Sequence, residues 1–115
     1  MTITQSETLK HYCILLNQLY ELEKKVSAGS DTSNAMRNVT KMKDAFEILE
    51  WFYEDPMGQT FKETRTDLEA TISGSGTEDL QVVEVMKPII RQGSRQFSRV
   101  AQKGIVIVES KPNQK

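Results

Sequence analysis

LQVVEVMKPIIRQGSRQFSRVAQKGIVIVE, residues 80–109, is the stretch that decides the fold of this chain. Val82, Val83, Val85, Ile89 and Ile90 make one apolar, β-branched run, and Ile105, Val106, Ile107 and Val108 make another. Between them lies GSRQFSR (93–99), polar and basic, opened by the Gly-Ser pair that turns favour. Two β-rich runs around a turn-rich segment predict antiparallel strands joined by a loop. Pro88 has no N–H to donate, so it marks a bulge, an edge or a break in the first run. Gly104 predicts a bend just ahead of the second. Two strands are not stable alone in water, so the unit needs a third strand or a partner. Residues 69–73 (EATIS) are the candidate third strand, followed by a flexible turn at Gly74-Ser75-Gly76.

Upstream the period changes from two to about 3.6. Thr4 and Glu7 have the spacing of a capping box, which predicts a helix opening near Gln5. Leu9, Tyr12, Leu16, Leu19 and Val26 then fall at three- and four-residue steps, with Glu23 breaking the stripe once. Cys13, Leu15, Tyr20 and Leu22 widen it. Gly29 suits the C′ position, and residues 30–33 (SDTS) are loop material that also supplies a cap. A second helix is predicted over 34–54, with Ala35, Val39, Met42, Phe46, Leu49 and Tyr53 as its stripe. Met36, Ala45, Ile48 and Phe52 lie beside that stripe and Trp51 at its margin. Lys43 and Glu47 sit four apart, with the sign order less favourable to the helix dipole. Asp55-Pro56 ends the helix, because proline disfavours helical geometry in the residue before it.

Two helices with a short connection predict an antiparallel hairpin. Each apolar face is broader than one neighbouring helix can cover, which suits a four-helix bundle made from two copies of the chain. Leu9, Tyr12, Leu16, Leu19, Val39, Met42, Phe46 and Leu49 are the expected dimerisation residues. The competing arrangement packs the hairpin onto the chain's own β unit. The expected fold class is therefore α+β: an antiparallel helical hairpin forming a dimeric four-helix bundle, followed by a small all-β domain. The expected boundaries are 1–55 for the dimerising hairpin and 56–115 for the linker, β-domain and C-terminal tail.

The 115 residues are enough for one small domain, or a very small domain plus a helical segment, and a limited core favours oligomerisation. Cys13 is the single cysteine and cannot form an internal disulfide, which fits a reducing compartment. No apolar run approaches the roughly 20 residues of a membrane span. MTITQSETLK has neither a basic n-region nor an apolar h-region, so no signal peptide is expected. A cytoplasmic location, with no membrane contact, follows as the expectation.

Charge is uneven along the chain. Residues 1–79 hold eight Lys/Arg against fourteen Asp/Glu, and residues 80–115 hold seven against two. A basic C-terminal half suits a solvated rim, an acidic protein surface or nucleic acid. Only Phe97 interleaves with those cations, which is thin for a platform that stacks single-stranded bases, so nucleic acid is the weakest of the three.

Reactive chemistry is sparse. His11, the only histidine, stands two residues from Cys13, and positions two apart on a helix face different ways. GSGTED (74–79) lacks the lysine of a phosphate loop. Glu47, Glu50 and Glu54 read as charge on one solvated helix face. Neither catalytic residues, nor metal ligands, nor a cofactor are expected, and the chain does not read as an enzyme.

The order of elements, helix, helix, proline-stopped linker and β unit, resembles the C-terminal part of the GrpE family, nucleotide exchange factors of DnaK-type heat-shock chaperones. DPMGQTF (55–61) is similar to the family's loop between bundle and β-domain, and LEATI (68–72) to its first β-domain strand. VVEVMK (82–87) resembles the family's VVEVxxKG segment, and RVAQKGIVIV (99–108) its closing RVLRPAxVxV strand. The family's long N-terminal paired helix has no counterpart here. Leu68 stands where the family usually has His, Pro88-Ile89 replaces Gly-Tyr, Gln102-Lys103-Gly104 replaces Arg-Pro-Ala, and the loop 91–98 is a few residues longer.

The resemblance implies a binding protein that docks its β-domain on the ATPase domain of a DnaK-type chaperone and favours the open cleft from which ADP leaves. Arg99 and Val108 match family positions that contact the chaperone, and Arg95, Phe97 and Ile90 would flank the same loop. The alternatives are a dimeric interaction scaffold without exchange activity and a nucleic-acid binder using residues 87–103.

Overall fold

The computed structural model describes residues 4–29 and 33–111, so residues 30–32 of the expected interhelical loop lie outside the described residues. Over the described residues the chain is α+β, with two helices and two three-stranded sheets. It divides into two compact units, Met1–Tyr53 with Ile90–Ala101, and Glu54–Ile89 with Gln102–Lys115.

Helix α1 (Gln5–Ala28) opens on the expected capping box. The Glu7 N–H donates to Thr4 Oγ1 at 3.1 Å, and the Thr4 N–H donates to Glu7 Oε1 at 3.3 Å. These two bonds satisfy donors that a helix start otherwise leaves unpaired. Glu7 is held below its ordinary carboxylate pKa by the Thr4 hydrogen bonds. Gly29 ends the helix as its C-cap, its N–H donating to the Val26 carbonyl at 3.2 Å. Its φ of -80° is extended backbone, so this glycine does not take the left-handed conformation of a C′ residue.

Helix α2 (Ser33–Ile48) stops six residues short of the expected end. The Glu50 N–H donates to the Glu47 carbonyl at 2.9 Å, and Glu50 itself turns left-handed with φ 68°. The chain leaves that turn as strand β1 (Trp51–Glu54). The helical period through 54 was the wrong reading of Trp51-Phe52-Tyr53. Three adjacent aromatics have strong β preference, and a strand lets all three be buried here. Trp51, expected at a helix margin, is part of the core.

In the first unit Leu16, Leu19, Tyr20 and Val39 form the buried seam of the helical hairpin. The β1 aromatics cover it. Tyr12 stacks on Trp51 at 4.8 Å between ring centroids with the planes nearly parallel, and Tyr20 meets Tyr53 edge-on at 5.6 Å. Strand β1 belongs to the sheet ordered β1-β4-β5, with β4 at Ile89–Gly93 and β5 at Ser98–Gln102. The boundary expected at residue 55 therefore differs from the observed division, because residues 90–101 cluster with the helices.

The second unit holds the sheet ordered β2-β6-β3, with β2 at Leu68–Ile72, β3 at Leu80–Lys87 and β6 at Gly104–Ser110. β3 and β6 are antiparallel and β2 runs parallel to β6, so the third strand expected over 69–73 is present at 68–72. Val82 and Val85 are three apart and would face opposite sides of a regular strand. Both are buried, because the register slips by one residue at Val83, placing Val82 opposite Val108 and Val85 opposite Val106. A second slip at Met86 turns Lys87 to the other face, opposite Ile105. Val83 and Met86, the two extra residues, are exposed. Pro88 ends β3, so the apolar run 82–90 is divided between two sheets.

The segment after the linker lies along the outer edge of β3. The Gly58 N–H donates to the Val82 carbonyl, the Val82 N–H to the Gln59 carbonyl and the Phe61 N–H to the Leu80 carbonyl, at 2.9 to 3.0 Å. Arg65 fixes this segment with a two-pronged bond to Asp67, both contacts at 3.0 Å, and a third to Gln59 Oε1 at 3.0 Å. That edge is thereby closed to further pairing.

Candidate protein-interaction site

The segment 93–99, expected as the loop between the two apolar runs, is the tip of a second hairpin formed by β4 and β5. Ser94 and Phe97 exchange backbone bonds, the Ser94 N–H donating at 2.9 Å and the Phe97 N–H at 3.2 Å. A reciprocal pair of this kind is the antiparallel pattern, and it leaves Arg95 and Gln96 as the two loop residues. Gly93 precedes the turn with φ 131°, a conformation open to glycine. A Cβ there would stand 2.8 Å from Ser98 Cα, so the close approach of the two strands also requires glycine. The Ser94 hydroxyl accepts the Phe97 N–H at 3.1 Å and tightens the turn.

The three arginines of this hairpin have different surroundings. Arg99 is exposed on β5, and its Nε donates to Gln92 Oε1 on β4 at 2.9 Å. Gln92 is uncharged, so this bond orients the guanidinium without neutralising it. Arg95 reaches back to α2, with Nε 3.0 Å from Glu47 Oε2 and Nη2 3.2 Å from Glu47 Oε1. Its guanidinium also lies 4.4 Å from the Phe52 ring centroid. The hydrogen bond from Arg95, helped by its charge, holds the Glu47 carboxyl below its ordinary range against the small opposing effect of burial. Arg91 is half-buried.

Phe97 is 89% exposed, more than any other large apolar side chain among the described residues. Ile90 and Val108 were expected beside Arg99 on a contact surface. Both are fully buried, and neither offers surface to a partner in this structure. Val108 lies in the middle of the β2-β6-β3 sheet, paired with Ile72 and Val82, and Ile90 belongs to the first unit. Of the five residues expected at the interaction surface, Arg99, Arg95 and Phe97 share the outer part of the β4–β5 hairpin.

The expected dimerisation residues divide in the same way. Leu16, Leu19 and Val39 are core within one chain, and Leu9, Tyr12 and Phe46 are half-buried. Met42 and Leu49 are exposed. Ile14, Leu15 and Leu22 on α1 and Ile48 on α2 are exposed as well, so each helix keeps apolar surface that its own chain does not cover.

Lys43, four residues before Glu47 on α2, directs its hydrogen bond to α1 instead. Its ammonium donates to Glu23 Oε2 at 3.0 Å, and the Tyr53 hydroxyl donates to Glu23 Oε1 at 2.6 Å. Burial would raise the Glu23 carboxyl, but the bonds from Tyr53 and Lys43 outweigh it and hold the group below its ordinary value. The acid that interrupts the α1 stripe is thus the point where α1, α2 and β1 are tied together. Sequence reading missed it because its partners lie 20 and 30 residues away. Glu47, read as one of three solvated surface acids, is the partner of Arg95. The signal for that pair was only an unmatched charge on each segment.

His11 is exposed, with Nδ1 2.7 Å from the Glu7 carbonyl. Among the described residues there is no group of three His, Cys, Asp or Glu side chains placed to hold a metal, and no helix long and apolar enough to cross a membrane. The arrangement offers contacts: an exposed aromatic, an oriented arginine and uncovered apolar helix surface. Compared with family models, curated proteins and solved structures, the chain matches none.

Proposed function

We propose that this chain is a GrpE-like co-chaperone, acting in the cytoplasm as a homodimer, that binds the ATPase domain of a DnaK-type chaperone and promotes ADP release. The observation that carries this reading is Arg99. It lies in the segment that resembles the family's closing strand, exposed and hydrogen-bonded to a neutral neighbour. A guanidinium so placed can donate charge-assisted hydrogen bonds to a carboxylate on a partner. The exchange itself needs no reacting group. The protein must bind the open nucleotide cleft more tightly than the closed one, because a ligand with equal affinity for both shifts nothing.

The dimer is supported by the exposed apolar residues of α1, α2 and the turn after α2, above all Leu15, Met42 and Leu49. Two hairpins joined through these faces would make a four-helix bundle. The same surface supports the alternative of a dimeric scaffold that binds a different protein. ADP release from a DnaK-type ATPase domain separates the two. Acceleration by the wild-type chain, lost in Arg99→Ala, is the expected result. Failure to bind or accelerate any DnaK-type protein overturns the reading in favour of the scaffold.

A further inference from the structure

We infer that Phe97 is the anchor by which the β4–β5 hairpin engages an acidic protein surface carrying an apolar pocket, and that Arg95 is an internal clamp that positions it. The choice of partner class rests on the co-chaperone reading above.

Phe97 is nearly fully exposed, yet it does not stand on a loose loop. The reciprocal Ser94–Phe97 bonds and the Ser94 hydroxyl fix its backbone. The Gly93 N–H donates to the Glu50 carbonyl at 2.7 Å, tying the base of the turn to the end of α2. Arg95 adds its two-pronged contact to Glu47 and lies over Phe52, which is buried. A planar guanidinium held by a carboxylate on one edge and an aromatic face is restricted in more than one direction. The tip is therefore braced against α2 and β1 of its own unit while its aromatic side chain is exposed to solvent. An aromatic whose backbone is fixed before binding has only its side-chain rotamers left to lose on docking, which suits an interface anchor.

The charges choose the partner. Residues 90–101 contain Arg91, Arg95 and Arg99 and no acidic residue. Glu47 offsets Arg95, and Arg99, two residues from Phe97, keeps its charge. Phe97 in an apolar pocket with Arg99 against a carboxylate at its rim is the complementary arrangement.

The test uses the full chain with Phe97→Ala, Arg95→Ala, Glu47→Ala and the Arg95→Ala/Glu47→Ala double variant. Affinity for a DnaK-type ATPase domain is measured by calorimetry, and amide exchange at Gly93, Ser94 and Phe97 is followed in the free protein. Phe97→Ala should lower affinity at least tenfold with an unchanged melting temperature. Arg95→Ala and Glu47→Ala should weaken binding equally, the double variant no more than either, and all three should speed exchange at the tip. A twofold or smaller effect of Phe97→Ala overturns the anchor. Loss of affinity in Arg95→Ala but not in Glu47→Ala overturns the clamp and makes Arg95 a direct contact. Unchanged tip exchange in the clamp variants overturns it without reference to any partner. If the wild type binds no DnaK-type domain, the co-chaperone reading and the anchor both fall, and the exchange data still decide the clamp.

Discussion

The Tyr53 hydroxyl donates a 2.6 Å hydrogen bond to Glu23 Oε1, joining strand β1 to the middle of helix α1. Lys43 of α2 shares the same carboxylate and lies 5.2 Å from the Tyr53 ring centroid. Three elements thus converge on one half-buried acid. Tyr53→Phe keeps the ring packing and removes only the donor. It should lower stability by about 1 kcal/mol, as expected for a partly solvated bond to a charged group, measured by denaturant unfolding at neutral pH.

The same acid sets a pH dependence. Its pKa is lowered in the folded chain from an ordinary value of 4.5. A depressed carboxyl stabilises the fold fully above the unfolded value and loses that contribution as pH falls through the folded one. The stability difference between wild type and Glu23→Gln should be constant above pH 4.5 and shrink below it. A difference that grows on acidification would contradict the bonding described here.

Gly104 tests the packing of the second unit. A Cβ at this position would stand 2.8 Å from Leu68 Cδ2 and 3.0 Å from Ile89 Cγ1, both on buried side chains. Gly104→Ala should destabilise by about 1–3 kcal/mol through overpacking. Gly58→Ala is a useful contrast, since its Cβ would meet nothing within 4 Å and only the φ of 81° opposes it. Thermal melts of the two variants compare crowding with backbone strain.

The helix surfaces make opposite predictions for neighbouring leucines. Leu16 is 1% exposed, so Leu16→Ala should cost about 2–5 kcal/mol and unfold or loosen the hairpin. Leu15 and Leu49 are each 55% exposed, and Leu15→Glu or Leu49→Glu should leave the monomer folded. Light scattering of the wild type should give about twice the 13.1 kDa chain mass, and the glutamate variants the single-chain mass. A wild-type monomer at micromolar concentration would remove the bundle dimer.

Arg99→Ala should weaken binding to a DnaK-type ATPase domain by about 2 kcal/mol, the loss typical of an interface arginine. Its melting temperature should stay close to that of the wild type, because an exposed arginine contributes little to folding. Equal ADP release by both proteins would exclude Arg99 from the contact.

Local chemistry alone determined much of this chain. The capping box at Thr4 and Glu7, the wide stripe of α1, a third strand near 69–73 and the antiparallel pairing of the runs that begin at Val82 and Ile105 were all legible, because each depends on neighbours in sequence or on a simple period. Tertiary structure decided what depends on distant partners. Trp51, Phe52 and Tyr53 fit a helical stripe as well as a strand, and only burial against α1 and a place beside β4 made them a strand. Val82 and Val85 share a face because one bulge, at Val83, shifts the register against β6, which no spacing rule on one strand reveals. Ile90 and Val108 carry the same apolar character whether they meet a partner or a core, and only the fold shows them fully buried. Arg95 and Arg99 are equivalent as letters. Glu47, 48 residues before Arg95, made one a clamp, and the neutral Gln92 left the other its charge.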